Sequence, residues 1–98
     1  MSARLTFHRM TEQELNDAAL FYDSESAGLG GAFLTEIERS VRMILDQPQV
    51  GLVVSGTVRR LLARRFPYAV LYSVRPDEVR VLAIMHMKRR PMYWAGRR

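Results

Sequence analysis

The residues best suited to chemistry in this chain lie close together near its C-terminus. They are an imidazole, four cationic or phenolic groups and an indole: His86, Lys88, Arg89, Arg90, Tyr93 and Trp94. Arginine binds phosphates and carboxylates through paired hydrogen bonds, and an aromatic ring offers a face on which a nucleobase stacks. This cluster therefore indicates a surface that binds an anionic partner.

The same cluster could support metal-free cleavage of RNA. Such a reaction needs a general acid or base near a 2′-hydroxyl and cations around the scissile phosphate. His86, Arg90 and Tyr93 are the catalytic candidates if the protein is a ribonuclease. Each also has a structural alternative, since His86 lies in phase with apolar strand residues and the aromatic side chains can cap a core.

Two arginine pairs extend the candidate surface. The pairs are Arg59–Arg60 and Arg64–Arg65. They are predicted on strands next to the one that carries His86, so they join Lys88, Arg89 and Trp94 as binding candidates. The alternative is that they are solvent-facing strand residues with no partner.

Other chemistries have little support in the sequence. The absence of cysteine excludes disulfides, thiolate nucleophiles and thiolate metal ligands. His8 and His86 lack neighbouring ligands at metal-binding spacing, so we expect neither a metal nor another cofactor. The acidic residues are predicted on exposed helix faces, which argues against a paired-carboxylate site.

Charge is divided unevenly along the 98 residues. Residues 1–58 carry four arginines and eight acidic residues, a net −4, whereas residues 59–98 carry ten arginines and one lysine against two acids, a net +9. The basic half predicts an anionic partner, either nucleic acid or an acidic protein segment. With 48% hydrophobic residues, no membrane-length apolar run and no signal peptide, one cytoplasmic domain over residues 1–98 is expected.

The periodicity predicts an α+β fold. A short strand at Leu5–Phe7 precedes a helix that opens with a capping box at Thr11–Glu14 and ends by about Ala27. A second helix over residues 31–47 completes an antiparallel hairpin, and residues 49–57 form a loop. Three antiparallel strands follow at residues 58–65, 68–74 and 79–87, with the helical hairpin packed on the sheet.

Two runs in the C-terminal half resemble the RelE/ParE superfamily of bacterial toxins. They are Arg-Arg-Phe-Pro-Tyr-Ala-Val-Leu-Tyr at residues 64–72 and Val-Leu-Ala-Ile-Met-His-Met-Lys-Arg-Arg-Pro-Met-Tyr-Trp at residues 81–94. The N-terminal strand and helical hairpin agree with the same layout. The resemblance implies a single RelE/ParE-like toxin domain that belongs to a plasmid-stabilisation module and is neutralised by a cognate acidic antitoxin, with operator DNA bound only through that antitoxin.

The superfamily contains two activities, and the resemblance leaves both open. Some members cleave mRNA in the ribosomal A site, whereas ParE-like members poison DNA gyrase without nucleolytic chemistry. The Phe-Pro-Tyr run and the ending Arg-Arg-Pro-Met-Tyr-Trp favour the ParE-like group, as does Ala69 at a position where ribonucleases often carry arginine. We therefore expect gyrase inhibition, with a ribosome-dependent ribonuclease and a degenerate toxin that only binds antitoxin as the alternatives.

Overall fold

Five strands and two helices make up the fold in a computed structural model that describes residues 4–98. They follow in the order β1 (Arg4–Phe7), α1 (Thr11–Glu25), α2 (Leu29–Asp46), β2 (Leu52–Ser55), β3 (Val58–Leu62), β4 (Tyr68–Arg75) and β5 (Glu78–His86). The predicted α+β class, the helical hairpin and the three C-terminal strands are confirmed. The first three residues of the expected domain lie outside the described part.

The strands form one mixed sheet in the order β1-β5-β4-β3-β2. Strand β1 runs parallel to β5, with Leu5 opposite Val79, while all other neighbours are antiparallel. The sheet therefore has two more strands than the predicted antiparallel three, because β1 joins it and residues 52–55 add an edge strand. Strand β3 ends at Leu62, so the second arginine pair lies in the following turn rather than on the strand.

The edge strand β2 occupies part of the predicted loop. It pairs with β3 in a tight hairpin, in which Ser55 lies opposite Val58 and Gly56 takes a φ of 52°. A positive φ is accessible to glycine at little steric cost, which suits a two-residue hairpin turn. The register shifts between Val53 and Ser55, so the strand does not alternate cleanly.

The start of α1 differs from the predicted capping box. The Thr11 hydroxyl donates to the His8 carbonyl oxygen at 2.7 Å instead of capping the helix, and Glu14 reaches away to β5. At the other end of the hairpin, Gly28 reverses the chain with a φ of 87°. Gly30 lies so close to α1 that an added Cβ would be 2.4 Å from the Ala19 carbonyl oxygen.

Two apolar clusters lie on the two faces of the sheet. The larger cluster joins the helical hairpin to alternate residues of β4 and β5, including Phe33, Ile37 and Tyr72. The remaining strand residues point to the opposite side, which we call the open face. There Ala69, Leu71, Ala83 and Met85 pack against Trp94.

Candidate interaction surface

The basic C-terminal segment, residues 87–98, folds back over the open face, and we call it the C-terminal arm. Its indole anchors it, since Trp94 is only 5% exposed and lies in the open-face cluster. The cations Lys88, Arg89 and Arg90 are exposed in the turn that follows β5. The structure therefore buries one predicted binding residue, Trp94, and leaves the neighbouring cations accessible.

A single carboxylate on α1 fixes the arm. Glu14 accepts hydrogen bonds from the Tyr93 hydroxyl at 2.9 Å, from Arg97 Nη1 at 2.9 Å and from the backbone N–H of Ile84 at 3.1 Å. Arg97 also donates to the Leu82 carbonyl oxygen at 3.1 Å. The Ile84 N–H and the Leu82 carbonyl oxygen belong to the part of β5 that extends beyond its pairing with β1. Glu14 and Arg97 thus take the place of a neighbouring strand there.

The catalytic candidate Tyr93 is held by these contacts. Burial, followed by the hydrogen bond to Glu14, raises the pKa of the Tyr93 phenol well above its ordinary value. The guanidinium carbons of Arg89 and Arg97 lie 4.2 Å and 5.0 Å from the centroid of its ring. A phenol with a raised pKa that already donates to a carboxylate is a poor general base at neutral pH.

His86, at the end of β5, also makes local contacts. Its Nδ1 accepts the Lys88 backbone N–H at 3.0 Å, and its ring lies edge-on to Tyr68 with centroids 5.0 Å apart. These contacts hold the imidazole between β4 and the turn. The hydrogen bonds of His86 and Tyr93 go to different partners, while Arg90 is exposed in the turn between them.

The first arginine pair is divided between the two faces of the sheet. Arg59 lies opposite Tyr72 on the helix side, where its Nη1 donates to the carbonyl oxygens of Gln49 and Gly51 at 3.1 and 2.8 Å. Arg60 lies opposite Leu71 on the open face. Arg59 therefore holds the loop before β2, and Arg60 is the member of this pair that faces the C-terminal arm.

A groove of about 190 Å³ lies between Arg60 and the C-terminal arm, and we call it the open-face groove. Its lining is mostly apolar and rich in methionine, and it comprises Val54, Arg60, Leu71, Met85, Met87, Arg89, Pro91, Met92 and Trp94. Unbranched methionine side chains adapt to different apolar partners, and the two arginines add positive charge. This groove suits an amphipathic segment that carries both apolar and acidic side chains.

The second arginine pair, Arg64 and Arg65, lies apart from this groove. Both side chains are exposed in the turn between β3 and β4 and line a cleft against α2. The structure thus separates the predicted basic cluster into an open-face group and a helix-side group.

Sequence reasoning missed the two carboxylates that organise these surfaces. The side chains of Glu14 and Glu36 are only 13% and 12% exposed, contrary to the prediction that acidic residues lie on exposed helix faces. Both residues lie close to the buried face of their helix in the helical period, and this position was the one sequence signal that could have indicated their burial. Across residues 4–98, no His, Asp and Glu side chains gather in the numbers that a metal site needs, and no helix is long and apolar enough to cross a membrane.

Comparison with known proteins identifies the family. The sequence model described as "ParE toxin of type II toxin-antitoxin system, parDE" matches residues 5–91. Among solved structures, "Chromosomal ParDE TA system from P. aeruginosa" superposes with a TM-score of 0.66 at 18% sequence identity, covering 89% of this chain and 98% of that chain. A search of curated proteins gave no significant match. Since the family match spans nearly the whole chain, this protein belongs to the ParE toxin family of type II toxin–antitoxin systems.

Proposed function

We propose that this toxin acts by binding DNA gyrase through a protein-recognition surface and that it performs no nucleolytic chemistry. The observation that carries the proposal is the state of Tyr93, whose hydroxyl donates to Glu14 at 2.9 Å and whose pKa is raised. The imidazole of His86 is likewise engaged at Nδ1. A binding mode of action requires no free acid or base at these positions.

The proposed antitoxin is an acidic protein whose amphipathic segment lies in the open-face groove. Its apolar side chains would contact Met85, Met87 and Met92, and its carboxylates would pair with Arg60 and Arg89. Such a complex would form in the cytoplasm, and operator DNA would be bound only through the antitoxin. The net +9 of residues 59–98 supports this choice of partner.

Supercoiling of relaxed plasmid by purified gyrase tests the mode of action. We expect the purified toxin to inhibit supercoiling, and we expect Tyr93→Phe and His86→Ala to retain inhibition within about twofold, because neither residue is proposed to react. A parallel translation reaction, analysed for mRNA fragments, serves as the control. Ribosome-dependent cleavage that Tyr93→Phe or His86→Ala abolishes would establish the ribonuclease instead. Activity in neither assay would indicate a degenerate toxin.

The exposed arginines of the arm provide a second test. Arg89→Ala combined with Arg90→Ala should weaken antitoxin or gyrase binding by roughly tenfold and flatten its salt dependence, more than any single helix-face change such as Gln13→Ala. Arg4→Ala combined with Arg9→Ala removes the same charge from exposed positions outside the arm and is the matched control. Equal binding by both double variants throughout a salt titration would contradict a specific role for the arm.

A further inference from the structure

A second basic cleft, distinct from the open-face groove, lies on the helix side of the sheet. It has a volume of about 580 Å³ and is bounded by α2 and the turn at residues 63–67. Four arginines and two glutamates line it, together with the apolar side chains of Ala32 and Phe66. We call it the α2 cleft. The residues of the cleft are brought together by the fold from segments about 30 positions apart along the chain.

The two glutamates of the α2 cleft are already paired within α2. Glu36 accepts hydrogen bonds from Nε and Nη2 of Arg39, both at 2.9 Å, and Glu38 forms an ion pair with Arg42. Each helix arginine therefore has its own carboxylate. The cleft retains a net charge of +2, contributed by two turn residues whose side chains form no ion pair within residues 4–98.

Those two residues are Arg64 and Arg65, and the second of them has an unusual backbone conformation. Arg65 has a φ of 75°, in the left-handed region that residues other than glycine and asparagine rarely adopt. The Arg64 backbone N–H donates to Glu36, which ties the turn to α2. Backbone strain of this kind persists where surrounding contacts enforce it, and it concentrates at functional sites. The conformation leaves the Arg65 side chain exposed at the rim of the cleft, with its guanidinium carbon 5.4 Å from the centroid of the Phe66 ring.

We propose that the α2 cleft binds the carboxylates of an extended acidic protein segment. Guanidinium groups form paired hydrogen bonds with carboxylates, and the apolar walls suit the aliphatic part of glutamate side chains. Nucleic acid is less well matched, because Phe66 is only 7% exposed and offers little face for base stacking. The proposal extends the proposed function by giving the acidic antitoxin a second contact, on the opposite side of the sheet from the open-face groove.

Fluorescence anisotropy with N-terminally labelled octaglutamate tests the site without an antitoxin. At low ionic strength, Arg64→Ala combined with Arg65→Ala should weaken octaglutamate binding roughly tenfold, whereas the charge-matched control Arg4→Ala with Arg9→Ala should weaken it less than about twofold. An equal loss in both variants would mean that the peptide responds only to net charge and would overturn the site. Labelled octathymidylate is measured in parallel. If it binds more tightly than octaglutamate and is lost in the same variant, the ligand is nucleic acid and the proposal is wrong.

Arg65→Gly separates binding from folding. Glycine accepts the positive φ, so the midpoint of thermal unfolding should stay the same or rise while octaglutamate affinity falls. A lower midpoint with unchanged affinity would assign Arg65 a structural role and contradict the proposal. Because neither assay involves gyrase, failure of gyrase inhibition leaves these results intact, and failure here leaves the proposed mode of action intact.

Discussion

Replacing Glu14 by alanine should be among the most destabilising single changes in this protein. The Glu14 side chain is 13% exposed and its ion-pair partner Arg97 is 14% exposed, so both charges are largely removed from water. The substitution leaves three donors without their acceptor: the Tyr93 hydroxyl, the Arg97 guanidinium and the Ile84 backbone N–H. Unpairing one member of a buried ion pair costs about 3–5 kcal/mol, and the low end suits a site that retains some exposure.

The expected loss is therefore about 3 kcal/mol in the free energy of unfolding, against a total of roughly 5–15 kcal/mol for a domain of this size. It corresponds to a fall of roughly 12–24 °C in the unfolding midpoint. Glu14→Gln keeps one acceptor oxygen, enough for either the Ile84 N–H or the Tyr93 hydroxyl because these donate to different oxygens of the carboxylate. It also removes the charge that pairs with Arg97, but it fills the same space, so a smaller loss of about 1–2 kcal/mol is expected.

Urea unfolding followed by circular dichroism measures both losses. Glu12→Ala, an exposed acidic residue in the same helical turn, is the matched control and should change the free energy of unfolding by less than about 0.5 kcal/mol. If Glu14→Ala were no more destabilising than Glu12→Ala, the carboxylate would not be the anchor of the C-terminal arm. In that case Glu14 would not hold the Tyr93 hydroxyl, and Tyr93 would be available as a general acid or base.

Three further changes test the fold, all read out by chemical or thermal unfolding. Gly30→Ala should destabilise the protein by about 2–4 kcal/mol, since its Cβ would lie 2.4 Å from the Ala19 carbonyl oxygen; an unchanged midpoint would show that the helices do not pack this closely. Tyr72→Phe should cost about 1–3 kcal/mol, because the buried hydroxyl accepts the N–H of Gly51 at 2.9 Å and no other group replaces it; a neutral result would contradict that contact. The hydrogen bond from Arg39 lowers the pKa of Glu36 below its ordinary 4.5. The ionised Glu36 should therefore stabilise the protein fully above pH 4.5, and this stabilisation should decline as the pH falls through the lowered pKa. The free-energy difference between wild type and Glu36→Gln should accordingly shrink from pH 7 to pH 3, and a difference independent of pH would contradict the assignment.

Local sequence patterns were sufficient to predict most of the secondary structure. The apolar positions of both helices and of β4 and β5 repeat at the helical or strand period, and those elements lie within a few residues of their predicted bounds. Strand β2 was missed because a bulge interrupts the alternation of Leu52–Ser55. In addition, β2 pairs with β3 only because the hairpin turn at Gly56 brings the two strands together. Hydrophobic periodicity could not reveal a strand whose pairing depends on that turn.

The surroundings of the candidate residues could not be predicted from the sequence. The sequence marks the basic residues, but the sheet register decides that Arg59 and Arg60 point to opposite faces. Glu14 shows the limit most clearly. Its spacing from Thr11 fits a local capping box, whereas its actual contacts with Tyr93 and Arg97 join residues 79 and 83 positions apart. Such long-range contacts depend on tertiary packing and leave no local pattern.

In the proposed mode of action, this toxin stops growth by binding its target rather than by cutting RNA. The most direct test induces the chain alone in cells and follows incorporation of labelled thymidine and labelled methionine separately over the first minutes. This mode of action predicts that DNA synthesis stops first, that mRNA stays intact, and that Tyr93→Phe behaves like the wild type. Translation that stops first with fragmented mRNA, together with loss of the effect in Tyr93→Phe, would contradict it.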